Sequence, residues 1–155
     1  MISPETPTPS TNVFGGATPV LRVESARLPI DYYLSVLGFK LEWEFEGFFA
    51  CVSRNQCRIF LCAGDQGHPG TWVWIGVTDA AALEAEYQAS GAKIRHPPTN
   101  YPWAYEMQVE DLDSNVLRFG SDPISGQPFG DWLDMNGRSW PVGADDEQEG
   151  RRPAP

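Results

Sequence analysis

Long apolar runs and paired cysteines are both missing from this sequence. No apolar stretch approaches the roughly 18 residues that a transmembrane helix needs, and the opening residues MISPETPTPSTN lack the basic and apolar regions of a secretory signal. Cys51, Cys57 and Cys62 are an odd number of cysteines and form no CxxC pair. We therefore expect a cytoplasmic protein with small buried thiols and with neither a disulfide framework nor a zinc site.

Basic residues are also few. Lys and Arg number 11 against 21 Asp and Glu, which gives a formal net charge of -10. This charge repels nucleic-acid phosphates and anionic membrane surfaces and attracts cationic small molecules, so we expect neither a nucleic acid nor a membrane as partner. With 41% hydrophobic residues and six tryptophans in 155 residues, the chain is able to fold as one domain with a core.

The two ends differ in composition from the middle. Residues 1–16 hold three prolines and several Ser and Thr, and residues 144–155 (ADDEQEGRRPAP) are charged and contain proline, so both are predicted to be disordered. Residues 123–143, the aromatic extension, are rich in Gly and Pro and carry Phe129, Trp132, Leu133 and Trp140. Exposed tryptophans are uncommon, which predicts that these side chains dock on the domain or on a second subunit.

The middle of the chain repeats one order of elements. Apolar patterns predict a strand at 18–23, a helix that Gly38 ends, and strands at 39–45, 48–53 and 57–62. Downstream they predict a strand at 71–77, a helix capped by Asp79 and ended by Gly91, and strands at 92–95, 104–109 and 116–120. Two similar halves indicate a duplication, in which neither half alone buries both faces of its sheet.

The motifs LRV, YYLSVLGFKLEWE and DLDSNVLRF occur in the order typical of one superfamily. By them the chain resembles the vicinal oxygen chelate proteins, which include glyoxalases, extradiol dioxygenases and bleomycin resistance proteins. The resemblance covers residues 17–122, with modules at about 17–64 and 70–122. It implies an α+β fold in which two βαβββ modules form a cupped mixed sheet with the helices outside, and it implies a homodimer.

Enzymes of that superfamily bind a divalent metal through matching strand positions in each module, typically His or Gln near its start and Glu in its last strand. The resemblance matches these positions to Thr18, Trp72, Ile59 and Arg118. Thr is a poor ligand, Ile and Trp offer none, and Arg carries a permanent positive charge. We therefore expect no metal at this position and no cofactor, and we expect Arg118 to point into the cup.

Strand alternation extends the predicted cup face, because side chains two residues apart share a face. Arg118 is predicted to share its face with Val116 and Gly120, Trp72 with Trp74 and Gly76, and Ile59 with Leu61. Pairing across the DLDSN turn adds Glu106 and Gln108. Aromatic surface with a few convergent polar groups is typical of a small-molecule pocket. The predicted ligand-binding residues are Trp72, Trp74, Arg118, Glu106, Gln108, Ile59, Leu61, Thr18, Phe49 and Trp103.

Structural interpretations of the same residues stay open. Arg118 is also suited to an internal ion pair with Glu106 or Glu110. Alternation places Trp103 in the core or at a dimer surface, and a core role is the default for Phe49. His68 and His96 are predicted to lie solvated in loops, without the partners of a catalytic base.

Within the superfamily, the chain is similar to the metal-free bleomycin-binding branch. The segments that carry this similarity are TPVLRV, LGF and the LRF after DLDSN. That similarity implies a metal-independent protein that sequesters an aromatic or cationic ligand, such as a peptide-type antibiotic, with no catalytic residue. One alternative is a glyoxalase- or dioxygenase-like metalloenzyme with a displaced metal site. Another is an interaction protein that docks a partner through its aromatic extension. Glu106 as a metal-free general base also stays open.

Overall fold

The strands form two four-stranded sheets, one for each predicted module. The computed structural model describes residues 10–25 and 27–143. The first module contains β1 (Val20–Arg22), α1 (Arg27–Ser35), β2 (Lys40–Phe45), β3 (Phe49–Arg54) and β4 (Cys57–Cys62). The second contains β5 (Trp72–Gly76), α2 (Ala80–Ser90), β6 (Lys93–Asn100), β7 (Tyr105–Glu110) and β8 (Val116–Ser121).

Both sheets have the same topology. Sheet A has the order β1-β4-β3-β2 and sheet B the order β5-β8-β7-β6. In each sheet the first strand of the module runs parallel to the last, while the other neighbours are antiparallel. This confirms the duplication and the α+β fold of two βαβββ modules.

Helix α2 begins and ends at the predicted residues. Asp79 is in an extended conformation, and its side chain accepts a hydrogen bond of 2.9 Å from the backbone N–H of Ala82. Gly91 is left-handed, with φ of 82°, a conformation that costs glycine little. In α1, Pro29 lies in the first turn, where no amide donor is needed.

Strand β6 extends five residues beyond its predicted end at residue 95, through Pro97 and Pro98. It tolerates these prolines because it is the edge strand of sheet B, and register shifts occur on both sides of His96. The loop predicted for His96 is therefore wrong. His96 lies half-buried in a strand, and its Nδ1 is 3.1 Å from the carbonyl oxygen of Pro97.

The two modules share one hydrophobic core. It is built from the helices and from the sheet faces that pack on them, and includes Tyr33 and Leu37 of the first module with Tyr87 and Leu117 of the second. The Tyr87 hydroxyl donates to the carbonyl of Leu37 at 3.0 Å, and that of Tyr33 to Asp111 Oδ2 at 3.1 Å. The opposite face of each sheet, turned away from this core, is called the cup face below.

The aromatic extension forms a short hairpin of β9 (Trp132–Leu133) and β10 (Ser139–Trp140). Residues 10–16 are exposed and belong to no helix or strand. The rest of the predicted N-terminal arm, residues 1–9, and the predicted tail, 144–155, lie outside the described residues. No helix in the described ranges is long and apolar enough to cross a bilayer.

Candidate ligand site

A buried ion pair lies at the centre of the cup face of sheet B. Glu106 Oε1 accepts hydrogen bonds from Arg118 Nη2 at 2.7 Å and from Arg118 Nε at 3.2 Å. Glu106 Oε2 accepts a further bond from Trp74 Nε1 at 3.0 Å. Both charged side chains are nearly inaccessible, with 6% and 1% of the Arg118 and Glu106 side chains exposed. Arg118 faces the cup side as predicted, but it contacts protein groups there.

Gln108 and Trp72 also contact other groups of the protein. Gln108 Nε2 donates to the carbonyl of Leu133 at 2.8 Å, and its Oε1 accepts from Arg95. The Arg95 guanidinium also lies over the Trp72 ring, 5.2 Å from its centroid. Glu106, Gln108 and Arg118, predicted to orient a ligand, are therefore satisfied by the protein itself in this conformation.

Trp132 of the aromatic extension covers this face and is 1% exposed. Its ring centroid lies 4.6 Å from Cζ of Arg118 and 6.3 Å from the Trp72 ring. Tyr101 and Trp103 stack on each other at 4.8 Å and meet the Trp132 ring edge to face at 5.7 and 6.0 Å. Burial raises the pKa of the Tyr101 phenol to about 12. Trp132 thus docks on its own domain, which is one of the two outcomes that the sequence predicted.

Asn100 anchors the extension, and sequence reasoning missed this role. Its side-chain Nδ2 donates to the carbonyls of Ile124 and Gln127, and its Oδ1 accepts from the N–H of Ile124. Its own carbonyl accepts from the N–H of Gly130, where a β-carbon would lie 2.4 Å from Thr99 Cγ2. The buried position of Asn100 at the end of β6 gives it these partners, and no motif marks it.

An open cavity of about 380 Å³ lies beside Trp74. Trp74 and Trp103 supply its aromatic surface, and Asp122 supplies a carboxylate. The other lining residues, all small, aliphatic or hydroxylated, are Gly76, Val77, Thr78, Gly120 and Ser121. Trp74 is 49% exposed, although its indole N–H is fixed to Glu106. An exposed aromatic face in a fixed orientation loses little entropy when a planar group stacks on it.

Glycines on the two neighbouring strands make room for the Trp74 ring. A β-carbon at Gly120 would lie 3.0 Å from Trp74 Cζ2 and Nε1, and one at Gly76 would lie 3.3 Å from Cζ3. These distances are shorter than ordinary van der Waals contact. The indole therefore lies flat against the backbone of β5 and β8, with its other face open.

Ile59 and Leu61 were predicted on the cup face, and this prediction is wrong. Both are 0% exposed and belong to the core shared by the two modules. The register explains the error: Val20 pairs with Phe60 as Trp74 pairs with Arg118. Phe60, not Ile59, therefore corresponds to Arg118. A slip of one residue moves every side chain of a strand to the other face.

The cup face of sheet A is an aromatic surface. Phe49 packs against Trp43 and Phe60 with ring centroids 5.3 and 5.5 Å apart, and Phe45 meets Phe48 at 5.5 Å. Phe49 lies on this face, as the ligand-binding prediction requires, and not in the shared core. Thr18 precedes β1 and is partly exposed.

The residues at the superfamily's metal positions do not fit a metal. With the register corrected, they are Thr18, Phe60, Trp72 and Arg118, a set that offers one weak oxygen ligand and one fixed positive charge. Within residues 10–25 and 27–143 there is no cluster of three or more His, Cys, Asp or Glu side chains able to hold a metal ion.

A second cavity, of about 550 Å³, lies on the helix side of the sheets. Its lining includes Ile75, Leu83 and Phe119, together with the ion pair of Arg54 and Glu86 at 2.8 Å. None of the predicted ligand-binding residues lines it. Of these two cavities, the predicted ligand-binding residues line the one beside Trp74.

Comparison with solved structures identifies the fold. The bleomycin-binding protein of Streptomyces verticillus, in complex with copper(II)-bleomycin, superposes with a TM-score of 0.62 and is 25% identical, over 72% of this chain and 98% of that one. TioX from Micromonospora sp. ML1 gives 0.58 at 20% identity, over 69% and 98%. Lactoylglutathione lyase from Agrobacterium tumefaciens gives 0.58 at 12% identity, over 77% and 100%. The sequence itself matches no protein-family model and no curated protein.

Proposed function

From the glyoxalase/bleomycin resistance fold that these structures share with this chain, we propose a metal-independent binding protein that sequesters an aromatic or cationic small molecule. The observation that carries the proposal is the cavity of about 380 Å³ between the fixed indole of Trp74 and Trp103. Its volume lies in the range of small-molecule pockets, roughly 300–1,000 Å³.

Charge favours a cationic ligand. Glu106 is neutralised by Arg118, whereas Asp122 at the cavity is exposed and forms no ion pair with any described residue. The formal net charge of -10 adds a long-range attraction for cations. The indole faces of Trp74 and Trp103 add cation–π attraction at short range.

The mechanism is sequestration by stacking and charge, without a chemical step. The likeness to a protein that binds copper(II)-bleomycin supports a small-molecule ligand, and a bleomycin-type resistance role is part of this proposal. The positions that hold metal in the superfamily's enzymes carry no suitable ligands here, which supports metal-independent binding.

We also propose that the protein is a cytoplasmic homodimer. Trp43, Phe45 and Phe48 leave an exposed aromatic patch on the cup face of sheet A, and surfaces of this kind commonly pack against another molecule. A second copy of the chain supplies the same patch and completes a closed cup. The three free thiols support a reducing compartment.

Calorimetric titration tests the binding proposal. The probes are metal-free bleomycin and the small planar cation N-methylquinolinium, each with EDTA and then with added Mn, Fe, Ni or Zn ions. We expect at least one probe to bind saturably, with the same affinity in the presence and absence of metal ions. This affinity should fall about tenfold or more in Trp74→Ala and stay unchanged in the surface control Leu112→Ala. Binding of N-methylquinolinium that requires a metal, or binding of either probe that survives the loss of Trp74, would refute the proposal.

A further inference from the structure

The aromatic extension covers the cup face of sheet B around Arg118. Trp132 stacks over the Arg118 guanidinium at 4.6 Å and packs against Trp72, Tyr101 and Trp103. A guanidinium bordered by aromatic rings attracts the face of an aromatic ring, whether that ring belongs to the chain or to a ligand. Here the ring comes from the chain itself.

The extension is held in place at several points. Asn100 binds the backbone of Ile124 and Gln127, Tyr101 Oη donates to the carbonyl of Asp131, and Gln108 Nε2 donates to that of Leu133. Gly130 fits against Thr99 where a larger residue would clash. The extension is thus bound by side chains of β6, of β7 and of the turn between them, with Trp132 as the buried ring.

This chain is longer than the fold that it shares with the solved structures. This chain aligns over 72% of its length with the bleomycin-binding protein, while 98% of that protein is covered. The shared fold is therefore complete in the shorter protein, and this chain carries extra segments. The whole extension lies within the described residues, and its Trp132 ring contacts Arg118 on the cup face.

We infer that Trp132 determines specificity: it fills the Arg118 side of the cup face and restricts the ligand to a small planar cation that fits the cavity between Trp74 and Trp103. This inference rests on the proposed function and narrows its ligand class. A cavity of about 380 Å³ accommodates a bicyclic cation such as N-methylquinolinium, whereas a ligand that also spreads over Arg118 must displace the indole.

Docking of the extension is measured first, without any ligand. In hydroxyl-radical footprinting resolved by residue, we expect Trp132 to be modified far more slowly than Trp74, which is 49% exposed and lies outside the proposed dimer patch. Asn100→Ala, which removes three hydrogen bonds of the extension, raises the modification of Trp132 toward that of Trp74. Phe129→Ala, in the same extension but 40% exposed, is the matched control and leaves Trp132 protected. Equal modification of Trp132 and Trp74 in the unmodified chain would overturn the inference.

Ligand selectivity is measured next, by calorimetric titration of the full chain. We expect N-methylquinolinium to bind the unmodified chain more tightly than metal-free bleomycin does. Trp132→Ala then strengthens bleomycin binding about tenfold or more, Trp132→Phe has a smaller effect, and Phe129→Ala has none. Asn100→Ala gives the same gain should Trp132→Ala not fold.

The outcomes separate the two proposals. If bleomycin binds equally well with and without the Trp132 ring, while Trp74→Ala abolishes binding, the specificity inference is wrong and the binding function stands. If neither probe binds any variant, the proposed function fails, and the specificity inference fails with it.

Discussion

The backbone of Gly120 passes directly beneath the indole of Trp74, so that a β-carbon at this position would lie 3.0 Å from two ring atoms. The indole cannot move closer to the sheet, because it already contacts the Gly120 backbone. It cannot rotate freely either, because its Nε1 donates to Glu106. Its exposed face is thereby presented to the cavity in one orientation.

Gly120→Ala is expected to displace the Trp74 ring and weaken ligand binding. The added methyl group pushes the indole off the sheet and lengthens its bond to Glu106, which removes the fixed stacking surface. Titration with N-methylquinolinium should show a loss of about tenfold in affinity. Gly15→Ala, at a position with nothing within 4 Å, provides the control. Unchanged affinity in Gly120→Ala would show that the ring orientation does not matter.

Removing Glu106 alone is expected to destabilise the fold strongly. Glu106→Leu leaves the Arg118 charge buried and uncompensated, which costs about 3–5 kcal/mol of unfolding free energy. The double variant Glu106→Leu with Arg118→Met removes the unpaired charge, so it should be more stable than Glu106→Leu. Urea denaturation measures both. Additive losses would show that the two side chains do not act as a pair.

Protonation of His96 is expected to destabilise the folded protein. Burial lowers the pKa of His96 below its ordinary value of 6.5, and the charge of Arg95 lowers it further. The unfolded chain therefore binds this proton more readily, and the free energy of unfolding falls as pH drops below about 6.5. Above that range His96 is neutral in both states and contributes no pH dependence.

Thermal denaturation at about pH 8 and about pH 5.5 measures this effect. His96→Gln should lose less stability between the two conditions than the unmodified chain, with His68→Gln as the matched control. The same loss in all three proteins would rule out His96 as a source of the pH dependence.

Phe45→Ser is expected to weaken the proposed dimer. Phe45 is the most exposed aromatic side chain of the patch on sheet A, at 54%. Replacing it with a small polar residue removes apolar area from the interface while the core stays intact. Sedimentation analysis over a range of concentrations should show dissociation at higher concentration than for the unmodified chain. Leu112→Ser changes an equally exposed residue of a turn and should have no effect.

Periodicity sufficed to predict most of the second module. Leu117 and Phe119 lie in the core while Arg118 lies on the cup face, as alternation requires. The error in β4 came from the match to the superfamily's metal positions, which assigned Ile59 to the cup face. Periodicity points the other way, because the exposed Arg58 is two residues from Phe60 and shares its face, while Ile59 and Leu61 are buried.

The docking of the aromatic extension lay beyond sequence reasoning. Its composition predicted that some of its aromatic side chains dock, and Trp132 does so. The place where it docks depends on Asn100, whose side chain is buried by contacts with residues 24 and 27 positions away. Nothing local to Asn100 distinguishes it from a turn residue. A contact over that distance leaves no periodic signal in the chain.

The shared core of the two modules has a consequence for synthesis of the chain. The bonds from Tyr87 to Leu37 and from Tyr33 to Asp111 join residues 50 and 78 positions apart. A nascent chain that has produced the first module alone still lacks Tyr87, which binds the Leu37 carbonyl in the completed core. Completion of the core must wait until β7 and β8 leave the ribosome, and the two modules then fold as one cooperative unit.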